Sequence, residues 1–116
     1  MNVFEAFFHT QNDVNHIDPE TFSKMMKEEE DIFVLDVRTK DEHKTFRIPA
    51  STVVDIYNSD FAERIDRLDR AKTYLVYCAS GSRSVSACKQ MKKMGFEKVY
   101  NLRSGILGWR GEIERG

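Results

Sequence analysis

The sequence predicts an α/β fold: a single domain with a central parallel sheet and helices on both faces. Three observations point there. Apolar, β-favouring runs alternate along the chain with segments whose apolar residues recur at helical spacing. The run Thr73-Tyr74-Leu75-Val76-Tyr77 shows no polar alternation, as expected for a strand covered on both faces. No two runs are joined by a tight-turn signature, so successive strands need crossovers, which the helical segments supply.

Residues 1–15 read as a lead-in with Phe4, Phe7 and Phe8 at helical spacing, either a short helix packed on the domain or an oligomer contact. Residues 16–116 form the domain proper. Asp18-Pro19-Glu20 has the grammar of a helix start: a capping carboxylate, a proline at the first helical position and an acid in the first turn. Phe22, Met25 and Met26 give that helix its buried stripe up to about Glu29. A strand, Ile32-Phe33-Val34-Leu35, then ends in Asp36-Val37-Arg38. In open α/β sheets ligands bind beyond the carboxyl ends of strands, so Asp36 and Arg38 fall on the functional edge. An ion pair bracing the loops there explains both without a substrate.

Thr39 to Arg47 is polar, and His43 within it reads as solvated in preference to a general base. Ile48-Pro49-Ala50-Ser51 leads into a short strand near 52–56. A helix follows over 59–70, with Phe61, Ala62, Ile65 and Leu68 on one side. After the strand at 73–77 comes a small-residue loop, Cys78-Ala79-Ser80-Gly81-Ser82-Arg83. From Val85 a helical period returns, through Ala87, Cys88, Met91 and Met94, and Gly95 suits its left-handed C′ position. A last strand spans about 98–102. A terminal helix from Ser104 then lays Ile106, Leu107 and Trp109 over the core.

The chain has 116 residues, enough for a single core, and 41% hydrophobic and 32% charged residues fit a globular protein. No apolar run approaches the roughly 20 residues that span a bilayer, and the first residues lack the basic start of a secretion signal. A cytoplasmic location is the expectation, with no membrane contact. Net charge is −1, unevenly spread: residues 1–77 carry 10 Lys/Arg against 16 Asp/Glu, and residues 78–116 carry 8 against 3. The half holding the loop is basic, which favours small anions or an acidic partner surface. Nucleic acid is not expected, since there is neither a dense basic run nor an aromatic-interleaved basic strand. Cys78 and Cys88 do not form a metal-ligand cluster with histidines, so neither a metal nor another cofactor is expected. Cys88 falls on the buried face of its helix, where a cysteine acts as a small hydrophobe.

A strand, a small-residue loop and a helix start together make an anion cradle, because backbone N–H groups and the helix dipole converge there. A cysteine at its mouth is activated by the same groups, since a thiolate is the nucleophile. Gly81 permits a positive-φ turn. Arg83 offers a planar fork to a sulfonate, phosphate or carboxylate. Ser80, Ser82 and Ser84 add hydroxyls, although Ser84 can equally cap the helix. The general chemistry is covalent catalysis in two half-reactions. Four residues separate Cys78 from Arg83. A loop that wraps phosphate, as in tyrosine phosphatases, needs a longer spacing, so the smaller ring suits a sulfur atom held on Cys78 as a persulfide. A small phosphatase or arsenate reductase is the less favoured chemistry, and a binding module without catalysis is a further alternative.

The chain also resembles the rhodanese family of single-domain sulfurtransferases. The resemblance rests on Asp36-Val37-Arg38, Glu42, Ile48-Pro49, Val76-Tyr77-Cys78 with the Cys-x-x-Gly-x-Arg-Ser loop, Gly95-Phe96, Val99, Asn101-Leu102, Gly105-Ile106 and Trp109. It implies about five parallel strands and a persulfide on Cys78, loaded from thiosulfate or a protein persulfide and passed to cyanide, a thiol or a protein. It further implies that Ala79, Ser80, Gly81, Ser82 and Arg83 bind the donor's anionic end, with Asp36, Arg38 and Glu42 in support. One stretch departs: where the family has Gly-His-Ile-Pro-Gly-Ala, this chain has Phe46-Arg47-Ile48-Pro49-Ala50-Ser51. The turn there must adopt a different backbone or carry side chains, and if it borders the site it alters donor preference.

Overall fold

A computed structural model describes residues 14–116. The main sheet has five strands: β1 (Asn15–Ile17), β2 (Ile32–Asp36), β4 (Ser51–Val53), β5 (Thr73–Tyr77) and β6 (Val99–Leu102). Their order is β1-β6-β5-β2-β4, and every pairing in it is parallel. Helices α1 (Pro19–Glu28), α2 (Lys40–Thr45), α3 (Phe61–Asp66) and α4 (Ser82–Lys93) make up the crossovers. The α/β parallel-sheet architecture is therefore as the sequence implies.

β5 lies at the centre and all five of its residues are buried. Its side chains alternate between two separate cores. Tyr74, Val76 and the following Cys78 join Ala87, Cys88 and Met91 of α4 and Phe61 and Ile65 of α3. Leu75 and Tyr77 join Phe22 of α1, Val34, Ile48, Leu102 and Ile106. A strand with no polar alternation is thus explained by helices on each face. Phe22 meets Trp109 edge-on at 5.4 Å between ring centres, and its complete burial contributes on the order of 2 kcal/mol.

Helix α1 starts as its sequence dictates: the Asp18 carboxylate accepts the Thr21 N–H at 2.7 Å and Pro19 occupies the first turn. Helix α4 ends at Lys93 with Met94 as its C-cap, and Gly95 follows at φ +99°. Elsewhere the expectations need correction. Asn15 already pairs with Tyr100 in the sheet, which brings the lead-in's last residue into the domain; Phe4, Phe7 and Phe8 lie outside the described residues. The strand expected near 52–56 occupies only 51–53, and the helix expected over 59–70 only 61–66, with Ala62 exposed. Ser104 does not open a helix. A single 3-10 turn, Ile106–Gly108, is found there; Ile106 and Trp109 do reach the core, but Leu107 is 72% exposed.

Besides β1, two features have no counterpart among the expected elements. One is α2, within the polar stretch after Arg38. The other is a small antiparallel pairing of β3 (Phe46–Arg47) with β7 (Glu114–Arg115), which ties the chain's end to the segment that departs from the family pattern.

Candidate active site

Cys78 follows β5 directly, and the chain then turns through Ala79 and Ser80 into α4. Helix α4 begins at Ser82, earlier than the apolar period suggests, because its first turn faces the loop and not the core. Ser82 and Arg83 are therefore helical. The N-cap position belongs to Gly81 and not to Ser84, which corrects that alternative. Gly81 has φ +104°, and a Cβ there would collide with the Arg103 carbonyl oxygen. Only glycine meets both demands.

The loop folds its amides back on the sulfur. Gly81 N–H donates to Cys78 Sγ at 3.1 Å and Ser84 N–H does so at 3.3 Å. Ser84 Oγ lies 3.3 Å from the same sulfur and donates to the Gly81 carbonyl at 3.1 Å. Ser84 thus brings to the sulfur's immediate surroundings the hydroxyl expected of it, one residue beyond the Ala79–Arg83 set that the resemblance implies. The loop's other side is held by the 3-10 turn, whose Ile106 and Leu107 N–H groups donate to the carbonyls of Cys78 and Ala79 at 2.9 and 3.1 Å. Cys78 is fully buried, Ala79 half-buried, and Ser80 and Ser82 exposed.

Arg83 and Glu42 meet at the loop's far end. Nη1 and Nη2 of Arg83 donate to Oε1 and Oε2 of Glu42 at 2.8 and 3.0 Å. The Arg83 hydrogen bonds hold the Glu42 carboxyl down at about 2, and Glu42 in turn raises the guanidinium's pKa. Glu42 also closes a capping box at the head of α2: its carboxylate accepts the Thr39 N–H while Thr39 Oγ1 accepts the Glu42 N–H. Thr39 and Glu42 at that spacing are a helix signature, the one local signal for α2, which the reading of this stretch as merely polar passes over.

The brace expected from Asp36 and Arg38 is present. Arg38 Nη2 donates to Asp36 Oδ2 at 2.8 Å and Nε to Oδ1 at 3.0 Å, with both residues almost wholly buried. The second contact of Nη2 is the Phe46 carbonyl at 2.8 Å. His43 is not merely solvated, as expected, but places Nδ1 2.9 Å from Asp36 Oδ2. Helix α2 therefore links the two clusters, Glu42 reaching the loop and the adjacent His43 reaching the brace.

The departing segment 46–51 is engaged away from the sulfur. Arg47 pairs with Glu114, and the Phe46 ring lies under the guanidiniums of Arg38 and Arg115. Ile48 N–H and Ser51 Oγ both meet the buried Tyr77 hydroxyl, at 3.2 and 2.9 Å. The turn keeps a left-handed residue, Ala50 at φ +65°, at the position of the family's second glycine. Of the two alternatives, the side chains are carried there. Cys88 is buried as expected, and burial pushes its thiol up to about 12. Among the described residues no group of three His, Cys, Asp or Glu side chains is placed to hold a metal ion, and no helix is long and apolar enough to cross a membrane.

Comparison with known proteins agrees with this architecture. The family model for the rhodanese-like domain matches residues 18–112. A sulfurtransferase of Allochromatium vinosum is 32% identical over 83% of this chain and 88% of its own length. A putative sulfurtransferase of Bacillus subtilis is 31% identical over 88% of this chain and 96% of its own. A tRNA uridine(34) hydroxylase of Cytophaga hutchinsonii is 37% identical, but the match spans only 34% of that larger protein. Among solved structures, a rhodanese-related protein of Thermoplasma volcanium superposes with a TM-score of 0.77 at 27% identity, covering 88% of this chain and 99% of that one. The chain belongs to the rhodanese-like domain family.

Proposed function

We propose that the protein is a sulfurtransferase that carries sulfane sulfur on Cys78. One observation supports this above the others: a sulfur at the base of a short loop that receives two backbone N–H groups. In the first half-reaction the Cys78 thiolate attacks the outer sulfur of thiosulfate or of a protein persulfide. The donor's S–S bond breaks, sulfite or the donor thiolate departs, and Cys78 holds the persulfide. In the second, cyanide, a thiol or an acceptor protein attacks the outer sulfur and the Cys78 thiolate is regenerated.

Gly81 and Ser84 N–H groups and the start of α4 stabilise negative charge on the inner sulfur, and the amides of Ala79, Ser80 and Ser82 do so for the outer one. Glu42 occupies two of the five N–H donors of Arg83, which leaves three for the donor's anionic end. Asp36, Arg38 and Glu42 are positioning residues that fix the strand ends and the loop. Phosphate hydrolysis is less well served: Asp36, bound by Arg38 and His43, is not free as a general acid.

Steady-state assay with thiosulfate and cyanide tests the proposal. Thiocyanate should form with wild type and fall to background in Cys78→Ser. Undiminished turnover by the variant would overturn it.

A further inference from the structure

Among the described residues, the large apolar side chains left most exposed are Tyr57, at 74%, and Leu107, at 72%. Single exposed hydrophobics are ordinary. These two, however, stand at opposite ends of one short loop. Leu107 is anchored through its N–H to the Ala79 carbonyl. Tyr57 lines a cavity of about 440 Å³ with Ser82, Arg83 and Ser86, at the loop's other end. The loop's hydroxyl residues Ser80 and Ser82 are exposed as well.

One flank of this platform is cationic. On the far side of α4 a groove begins at Val85, next to the loop, and its lining includes His16, Lys89 and Arg103 but no carboxylate. Arg103 borders the loop itself, its carbonyl facing Gly81, and its charge also reaches Asp18. The Tyr57 end carries charge of both signs, Asp55 accepting the Tyr57 N–H and Arg83 lining the cavity. Thiosulfate has no apolar surface to place on either side chain, and nothing in its size needs a cationic groove beside the loop. A polypeptide uses both.

We propose that Cys78 exchanges sulfur with a protein that docks across Tyr57 and Leu107, its acidic flank on Lys89 and Arg103. The partner presents a cysteine persulfide. The Cys78 thiolate attacks its outer sulfur, the partner's S–S bond breaks, the partner leaves as a thiolate, and the proton stays on the persulfide transferred to Cys78. This inference rests on the reading of Cys78 as a sulfur carrier.

The test compares loading rates of Cys78, followed by intact mass, from three donors. These are thiosulfate, a synthetic peptide with one cysteine persulfide between apolar residues and a glutamate run at one end, and the same peptide with lysines in that run. The glutamate peptide should load wild type faster than the lysine peptide, and salt should erase the difference. The double variant Tyr57→Ser/Leu107→Ser should slow the glutamate peptide by about tenfold and leave thiosulfate within about twofold of wild type. Lys89→Glu/Arg103→Glu should reverse the preference between the peptides. Equal rates for the two peptides, or a Tyr57/Leu107 variant that loads both donor classes alike, would overturn the docking surface. A wild-type protein that takes sulfur from none of the three would instead remove the underlying reading of Cys78.

Discussion

Arg83 in the first turn of α4 and Glu42 at the head of α2 form a two-point ion pair across 41 residues of sequence. The same carboxylate caps α2 through Thr39. Glu42 therefore ties the end of the cysteine loop to a helix whose next residue, His43, grips the Asp36–Arg38 brace. Loop and brace are one connected assembly, joined by a helix of six residues.

This linkage sets an acid limb. The Glu42 carboxyl titrates at about 2 in the folded protein, below its ordinary 4.5, chiefly through the Arg83 hydrogen bonds. A depressed carboxylate contributes stability above its unfolded pKa, and that contribution fades as pH falls from about 4.5 toward 2. Its side chain is 35% exposed, so water screens the pair, and the contribution should be no more than about 1 kcal/mol. Urea midpoints measured from pH 5 to pH 2 should fall less steeply for Glu42→Gln than for wild type. Parallel slopes would contradict this.

Ala50 holds φ +65° without being glycine, and its side chain is exposed, so no packing is at stake. The left-handed backbone costs an L-residue about 1 kcal/mol, of which glycine's greater freedom in the unfolded chain cancels a part. Ala50→Gly should raise stability by about 0.5 kcal/mol, seen as a higher urea midpoint with the same slope. A lower midpoint would show the strain is absent.

The Tyr77 hydroxyl is buried, pushed up to about 12 mainly by desolvation, and serves both Ile48 N–H and Ser51 Oγ. Tyr77→Phe leaves that buried N–H without its partner and should cost about 1–3 kcal/mol by chemical denaturation. A neutral outcome would mean that another acceptor takes over the Ile48 N–H.

How much of this could be read from residues alone follows from what each feature depends on. The strand at 73–77 and the helix through Ala87, Cys88 and Met91 were legible because two-sided and one-sided burial leave distinct periodicities. The loop was legible because small residues, a glycine and a cation lie between those patterns. Helix α2 has no buried residue, so it leaves no apolar period, and only its capping box marks it. β1 has three residues, two exposed, and its place at the sheet edge comes from pairing with β6, a tertiary fact. The β3–β7 pairing and the Arg83–Glu42 bridge join residues 67 and 41 apart, which local patterns cannot report. Ile106, Leu107 and Trp109 have the apolar character of a terminal helix, yet only a single 3-10 turn forms and Leu107 faces outward.

The two cysteines should separate chemically. Both cysteines are buried, but burial raises the Cys88 thiol to about 12, whereas Cys78 Sγ meets two backbone N–H groups at the loop. Iodoacetamide at pH 7 should modify Cys78 far faster, as peptide mapping will show. Cys88→Ala should still accept sulfur while losing roughly 1 kcal/mol of stability through its small cavity. Equal labelling of both cysteines would contradict the distinction.

The central claim is that Cys78 carries the sulfur, and intact mass after incubation with thiosulfate, and separately with a persulfide donor, tests it most directly. Wild type should gain one sulfur atom from at least one donor, lose it on addition of cyanide, and owe the gain to Cys78, so that Cys78→Ser gains none. No gain from either donor, or an equal gain in Cys78→Ser, would contradict the account.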